Sequence, residues 1–285
     1  MTPNTWGHRY LMCPPEHFGV LYEINPWMHR EVTVDVDRAQ AQWEGLVQLL
    51  RDAGAVVEVI DPHEGWPDMV FTANAGIVNG RQFVPSHFRN PERQGETPIF
   101  AKHFDDLEYQ VDLLPTELDH EGAGDALPFG GVLVSGYRWR SDAQAHGVLS
   151  QMIGAPVRSV ELIDERYYHL DITFCPLDDR RALLVPEAWD SYGQTVMKEL
   201  VPEPLVLEPE EAAVFHANSV VIGTNIVMPS CSPRVGRQLE AWGFDVAVAD
   251  VSEFLKAGGG VRCLTLSLDV VLGTPSAPTT PPAPS

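Results

Sequence analysis

Two short strands, a helix and a third strand recur five times along this chain at a period of about fifty residues, which constrains the fold more than any single motif. The first clear helix, Asp35–Ala53, carries Ala39, Ala41, Trp43, Leu46, Val47, Leu49 and Leu50 at helical spacing, and Gly54 stops it. Val56–Ile60 is then a strand. In the next unit, Val70–Ala75, Gly76–Val78 and Gln82–Pro85 read as short strands, with a helix around Ile99–Leu107 and a strand at Tyr109–Leu114. Glu121–Leu127 and Val132–Tyr137 open a third unit, closed by a helix over Asp142–Ile153 and the strand Val157–Leu162.

The fourth unit is Tyr168–Leu177 and Ala182–Val185, a helix after Ser191, and the strand Pro204–Leu207. Ala217–Gly223 and Ile226–Pro229 begin the fifth, with the helix Pro233–Trp242 and the strand Phe244–Ala249. Cys263–Val271 then needs a partner, and the strand ending at Leu11-Met12-Cys13 supplies it; residues 1 to 10 read as a short arm. The alternative is an open α/β sheet, but short paired strands outnumber helices and favour a closed ring. Residues 273 to 285 form a Pro/Ser/Thr/Ala tail with no apolar face, expected to be disordered. A single domain therefore spans residues 1 to 272.

Composition excludes several functions. The net charge of −21 leaves no basic patch for nucleic acid. No apolar run is long enough to span a bilayer, and no signal peptide opens the chain. Cys13, Cys175, Cys231 and Cys263 form no Cys-x-x-Cys pair, which argues against structural zinc and for a reducing cytoplasm. There is no His-Glu-x-x-His and no Gly-x-Ser-x-Gly. Glu121-Gly-Ala-Gly-Asp125 is not a dinucleotide fingerprint, because Leu127 stands where the third glycine would be.

In a closed ring the residues at the strand starts converge. Here they are polar: Asp68 and Asn74, Glu121 and Asp125, His169 and Asp171, Asn218, and Cys263 after Gly258-Gly259-Gly260. His169 and Asp171, two apart, would share one face of a strand. Taken singly, a lone Cys is more often core and a lone His more often a hydrogen-bonded core group. Together they fit one chemistry. Carboxylates hold a guanidinium through charge-assisted hydrogen bonds. That cation favours thiolate at the neighbouring Cys. Attack gives a tetrahedral adduct, and a His protonates the leaving amine and then activates water.

With these residues in place, the chain resembles the guanidino-group-modifying enzymes: arginine deiminases, dimethylargininases and amidinotransferases, which share the five-bladed α/β propeller called the pentein. The resemblance runs over residues 8 to 270 through Ile24-Asn25-Pro26-Trp27, Asp68 to Gly76, Glu92-Arg93-Gln94-Gly95, Glu121 to Asp125, Tyr168-His169-Leu170-Asp171, and the glycines before Cys263. It implies a pseudo-fivefold ring of ββαβ units, with Cys263 as nucleophile, His169 as general acid and base, and Glu121 as guanidinium ligand and support for the His. It implies substrate binding by Asn25, Asp68, Asn74, Arg93, Arg140 and Asp171, the arginines holding a substrate carboxylate. It implies no cofactor and no metal.

Deiminases and dimethylargininases usually carry a carboxylate where this chain has Asn74. Residues 68 to 76 and 92 to 96 look more like the arginine dihydrolases, which carry Asn there and take arginine through two hydrolyses to ornithine, ammonia and carbon dioxide. An amide offers a donor and an acceptor, and so can retain a neutral ureido intermediate. The resemblance thus implies an arginine dihydrolase. The alternatives are a dimethylargininase releasing citrulline and dimethylamine, an amidinotransferase, and a non-catalytic binder of cationic ligands. The expected partner is a small molecule, arginine or a methylated arginine, with no nucleic acid and no membrane; a homo-oligomer is left open.

Overall fold

The computed structural model describes residues 6 to 273. Strand β1 (Arg9–Met12), helix α1 (Val36–Asp52) and strand β2 (Val56–Val59) come first. Asp35 caps α1 by accepting from the N–H of Arg38, and Ala39, Trp43, Leu46, Val47 and Leu50 form its buried face. Ala41 lies exposed on the opposite side, while Gln42 is buried and accepts from the N–H of Glu253.

Four ββαβ units follow. The first is β3 (Gly76–Asn79), β4 (Gln82–Pro85), α2 (Glu96–Asp106) and β5 (Gln110–Val111). The second is β6 (Ala126–Phe129), β7 (Val132–Tyr137), α3 (Ala145–Ile153) and β8 (Val157–Glu161). The third is β9 (Phe174–Pro176), β10 (Arg181–Leu184), α4 (Ser191–Leu200) and β11 (Glu203–Val206). The fourth is β12 (Val220–Ile222), β13 (Asn225–Met228), α5 (Pro233–Ala241) and β14 (Asp245–Val248). The last strand, β15 (Leu266–Ser267), pairs antiparallel with β1, which also pairs parallel with β2, so the fifth blade is made from both parts of the chain.

Five three-stranded sheets result, each antiparallel on one side and parallel on the other. This is the closed ring of five units that the fifty-residue period implied, with the architecture of the pentein that the resemblance implied. The first strands β3, β6, β9 and β12 are buried throughout, whereas β2 and β14 are exposed at both ends. No described helix is long and apolar enough to cross a membrane.

Two expectations need correction. The presumed arm at residues 1 to 10 contains the start of β1, since Arg9 and Tyr10 already pair with Val56 and Val57. Residues 1 to 5 lie outside the described residues, as does the tail beyond Gly273.

The second correction bears on function. Val70–Ala75, Glu121–Asp125 and Tyr168–Thr173 are not strands. They are tight 3-10 turns ahead of the inner strands, at Thr72–Ala75, Gly122–Gly124 and Leu170–Ile172. In all five units an N–H bonds back to the carbonyl three residues earlier: Asn74 to Phe71, Asp125 to Gly122, Thr173 to Leu170, Asn218 to Phe215, and Thr265 to Arg262. These turns satisfy part of their backbone locally, and neighbouring segments supply the rest, as where the Ala73 N–H donates to the Cys263 carbonyl. His169 is extended and Asp171 lies within the turn, so the two do not share a strand face.

Candidate active site

The five turns bring the polar groups together. Cys263, His169, Asn74, Asp68, Arg93 and Arg140 line one cavity that is barely wider than a water molecule, and Asn25 lies at its rim beside Ala257. Glu121 and Asp171 are wholly buried behind it.

The thiol is held by the turn after the glycines. Gly258 has φ +82°, a conformation that favours glycine. At Gly260 a Cβ would come within 2.6 Å of Asn218 Oδ1. At Gly259 the Phe71 ring crowds the backbone, and at Gly260 the close approach is to Asn218. That residue's Oδ1 accepts from the N–H of Arg262 at 3.0 Å and of Cys263 at 3.3 Å, while its Nδ2 donates to Cys263 Sγ at 3.1 Å. Cys263 Sγ donates to Asp171 Oδ2 at 3.4 Å. Burial, and then the Asp171 charge, push the thiol well above the ordinary cysteine range. A cation beside the sulfur would favour thiolate.

His169 Nε2 lies 2.9 Å from Glu121 Oε2, the same oxygen that accepts from Arg140 Nη1 at 2.9 Å. Burial alone would raise Glu121. The Arg140 charge and the His169 bond outweigh it and bring the carboxyl down to about 2. Asp171 is the reverse: burial dominates over the charge of Arg262 and lifts it to about 7. Burial also raises Asp68, against the charge of Arg93. Asp68 Oδ1, Glu121 Oε1 and Asp171 Oδ1 are all buried without a hydrogen-bond partner among the described residues. Three under-used carboxylate oxygens on acids lining or backing the cavity are what a planar cation with several N–H groups would satisfy.

Both candidate carboxylate-binding arginines are already engaged. Arg93 donates to both oxygens of Glu96, at 2.9 and 2.8 Å, and to Asn74 Oδ1 at 2.9 Å. Arg140 joins Glu121 to the carbonyl of Ile24 at 2.9 Å and stacks over Tyr168. Asn74 is also partly used, since its Nδ2 donates to the Glu121 carbonyl at 3.3 Å. Asn25 fastens the N-terminal loop across the site by donating to the Ala257 carbonyl at 3.1 Å. Sequence reasoning missed Glu96, three residues beyond Arg93 on the next turn of helix, and gave Asn218 no role although it occupies the same turn position as Asn74. Among the described residues no group of three or more His, Cys, Asp or Glu is arranged to hold a metal ion.

A pentein ring whose polar turns bring together a buried thiol, an imidazole and acids defines the guanidino-group-modifying class. The chain is 41% identical over 267 residues to an N(G),N(G)-dimethylarginine dimethylaminohydrolase of Mycobacterium tuberculosis, covering 94% of this chain and 87% of that one. It belongs to the family of dimethylargininases and arginine dihydrolases. It is also 44% identical over 263 residues to the bifunctional arginine dihydrolase/ornithine cyclodeaminase AgrE of Nostoc, covering 90% of this chain but only 37% of that longer protein. Among solved structures, the N-terminal domain of ArgZ, an arginine dihydrolase of cyanobacteria, superposes with a TM-score of 0.89 at 41% identity, over 93% of this chain and 99% of that one. A dimethylarginine dimethylaminohydrolase at 20% identity and TM-score 0.77 shares the fold. No family model matches the chain.

Proposed function

We propose that this chain hydrolyses the guanidino group of arginine through a covalent thiouronium on Cys263, in two rounds that yield ornithine, ammonia and carbon dioxide. The observation that carries the reading is the set of three buried carboxylate oxygens without a partner among the described residues, on acids lining or backing the cavity that holds Cys263. An arriving guanidinium would donate to those oxygens, and its charge would favour the thiolate. Sulfur adds to the guanidino carbon, and the adduct collapses with loss of ammonia as His169 delivers the proton. Glu121, anionic through Arg140, fixes the imidazole by accepting from Nε2. Water activated by His169 then releases citrulline, and a second round on the ureido carbon gives ornithine. Asn74 supports the second round, because its amide can contact a neutral ureido group while anchored to Arg93. In AgrE and ArgZ the matching segment is about a third of a longer chain, so their whole activity is not carried over.

The dimethylargininase reading stands second, on the likeness to the mycobacterial protein. Mass spectrometry of products decides between them. Arginine giving ornithine supports the first; dimethylarginine giving citrulline and dimethylamine, with arginine untouched, replaces it with the second. We further infer a reducing, cytoplasmic setting, consistent with four cysteines that are all free thiols.

A further inference from the structure

Four residues past Glu121, at Asp125, lies a wholly buried carboxylate that the chemistry above does not use. Its Oδ1 accepts from the N–H of Leu170, the residue after His169, at 3.0 Å. Its Oδ2 accepts from Ser141 Oγ at 2.6 Å, and Ser141 Oγ in turn accepts from the N–H of Glu121 at 3.0 Å. One carboxylate thus ties down the backbone on both sides of a contact between two blades, the 2.9 Å bond from His169 Nε2 to Glu121 Oε2.

Asp125 is itself held from several directions. Its N–H donates to the Gly122 carbonyl, and its own carbonyl accepts from the N–H of Gly136 and from Ser135 Oγ, both at 2.9 Å. At Gly136 a Cβ would come 3.0 Å from Asp125 Oδ1, so the glycine leaves the carboxylate its place.

We propose that Asp125, acting with Ser141, is a positioning residue that sets the register between the Glu121 carboxylate and the His169 imidazole. The inference rests on the reading of Cys263 and His169 as the reacting pair. A carboxylate suits the task because it accepts at both oxygens. It obliges the Ser141 hydroxyl to donate toward Asp125, which leaves the Ser141 lone pairs for the Glu121 N–H. An amide at 125 keeps the bond from Leu170 but turns a donor toward Ser141, so the link is weakened on one side only.

The test is D125A, D125N and S141A against wild type. A displacement of about 1 Å at a reacting pair costs on the order of 10²-fold in rate. D125A should therefore lose about 10²-fold in kcat while KM for arginine stays within about twofold, with D125N and S141A falling between it and wild type. A readout that needs no turnover is the ¹⁵N–¹H NMR signal of the His169 Nε2 proton. It should be shifted downfield in wild type, weakened in S141A and lost in D125A. If the signal follows this order but arginine is not hydrolysed by wild type, the functional reading fails and the positioning role stands. If the protein hydrolyses arginine and folded D125A keeps both its kcat and its imidazole signal, the positioning role is overturned. Should D125A not fold, unchanged kcat and signal in folded S141A overturn it equally.

Discussion

Glu121 and Asp171 are both wholly buried, yet their surroundings are opposite. Glu121 has an arginine and an imidazole on one oxygen and is held at about 2. Asp171 accepts from the Cys263 thiol, has no ion-pair partner within 4 Å among the described residues, and is lifted to about 7. One carboxylate is neutralised inside the protein before any ligand arrives. The other is left short of positive charge. On the proposed function, Glu121 would support the imidazole and Asp171 would meet the cation, so binding would draw on the carboxylate of the two that costs more to ionise.

The largest effect is expected where the two sides meet. Cys263→Ser should reduce turnover to background with the fold intact, because a hydroxyl ionises far less readily than a thiol. Substantial residual activity, read by ammonia release, would remove the covalent route. On the Glu121 side, His169→Ala should cost on the order of 10²-fold or more in kcat. Intact-mass spectrometry should reveal an adduct on Cys263 if water activation has become limiting; normal turnover would place proton transfer elsewhere.

Stability sharpens the contrast, because the two carboxylates should respond with opposite signs. Arg140→Met strands a buried carboxylate and should cost about 3–5 kcal/mol. A depressed acid contributes stability above its unfolded value and loses it as pH falls, so the gap to wild type should narrow as pH approaches about 2. Asp171 is a raised acid, and ionising it opposes folding once pH exceeds its unfolded value of about 3.9. Asp171→Asn should therefore leave the unliganded protein as stable as wild type, or more so, above pH 7. In activity, wild-type kcat/KM for arginine should rise with pH to a plateau above about 7, as Asp171 ionises, and that limb should vanish in Asp171→Asn. Denaturant melts and pH profiles of the two variants test both statements; parallel behaviour would dissolve the contrast.

The smallest effect concerns product distribution. Asn74→Asp keeps the acceptor for Arg93 and loses the donor to the Glu121 carbonyl. The first hydrolysis should change by less than tenfold, while the citrulline-to-ornithine ratio rises. A wild type that stops at citrulline would show that Asn74 does not govern the second step.

The ring of five units was legible because its outer parts follow simple periods: alternating or continuous apolar runs for strands, and the Trp43-Leu46-Val47-Leu50 stripe for α1. The polar turns were misread as strands because Phe71-Thr72-Ala73 and Leu170-Asp171-Ile172 have strand-like composition. What decides their shape is crowding at the axis, where backbone groups close on themselves. Convergence of Cys263, His169 and Glu121 was legible once the units were aligned. The partners of the arginines were not, because Arg140 finds Glu121 only when the turn preceding β6 and the loop after β7 fold together. Glu96 was the exception, since an acid three residues after Arg93 on a helical path was there to be read.

The blade that closes the ring has a consequence for the chain's biosynthesis. Tyr10 pairs with Ser267, so a strand made near the beginning waits for one made near the end. Cys263 stands three residues before that closing strand. A nascent chain can therefore hold the acids and the imidazole but not the sulfur, and it carries β1 with one edge unpaired and open to wrong partners. Such distant pairing is slow to find. The order of synthesis thus places the Cys263 thiol in the chain only as the strand that shuts the ring is about to follow.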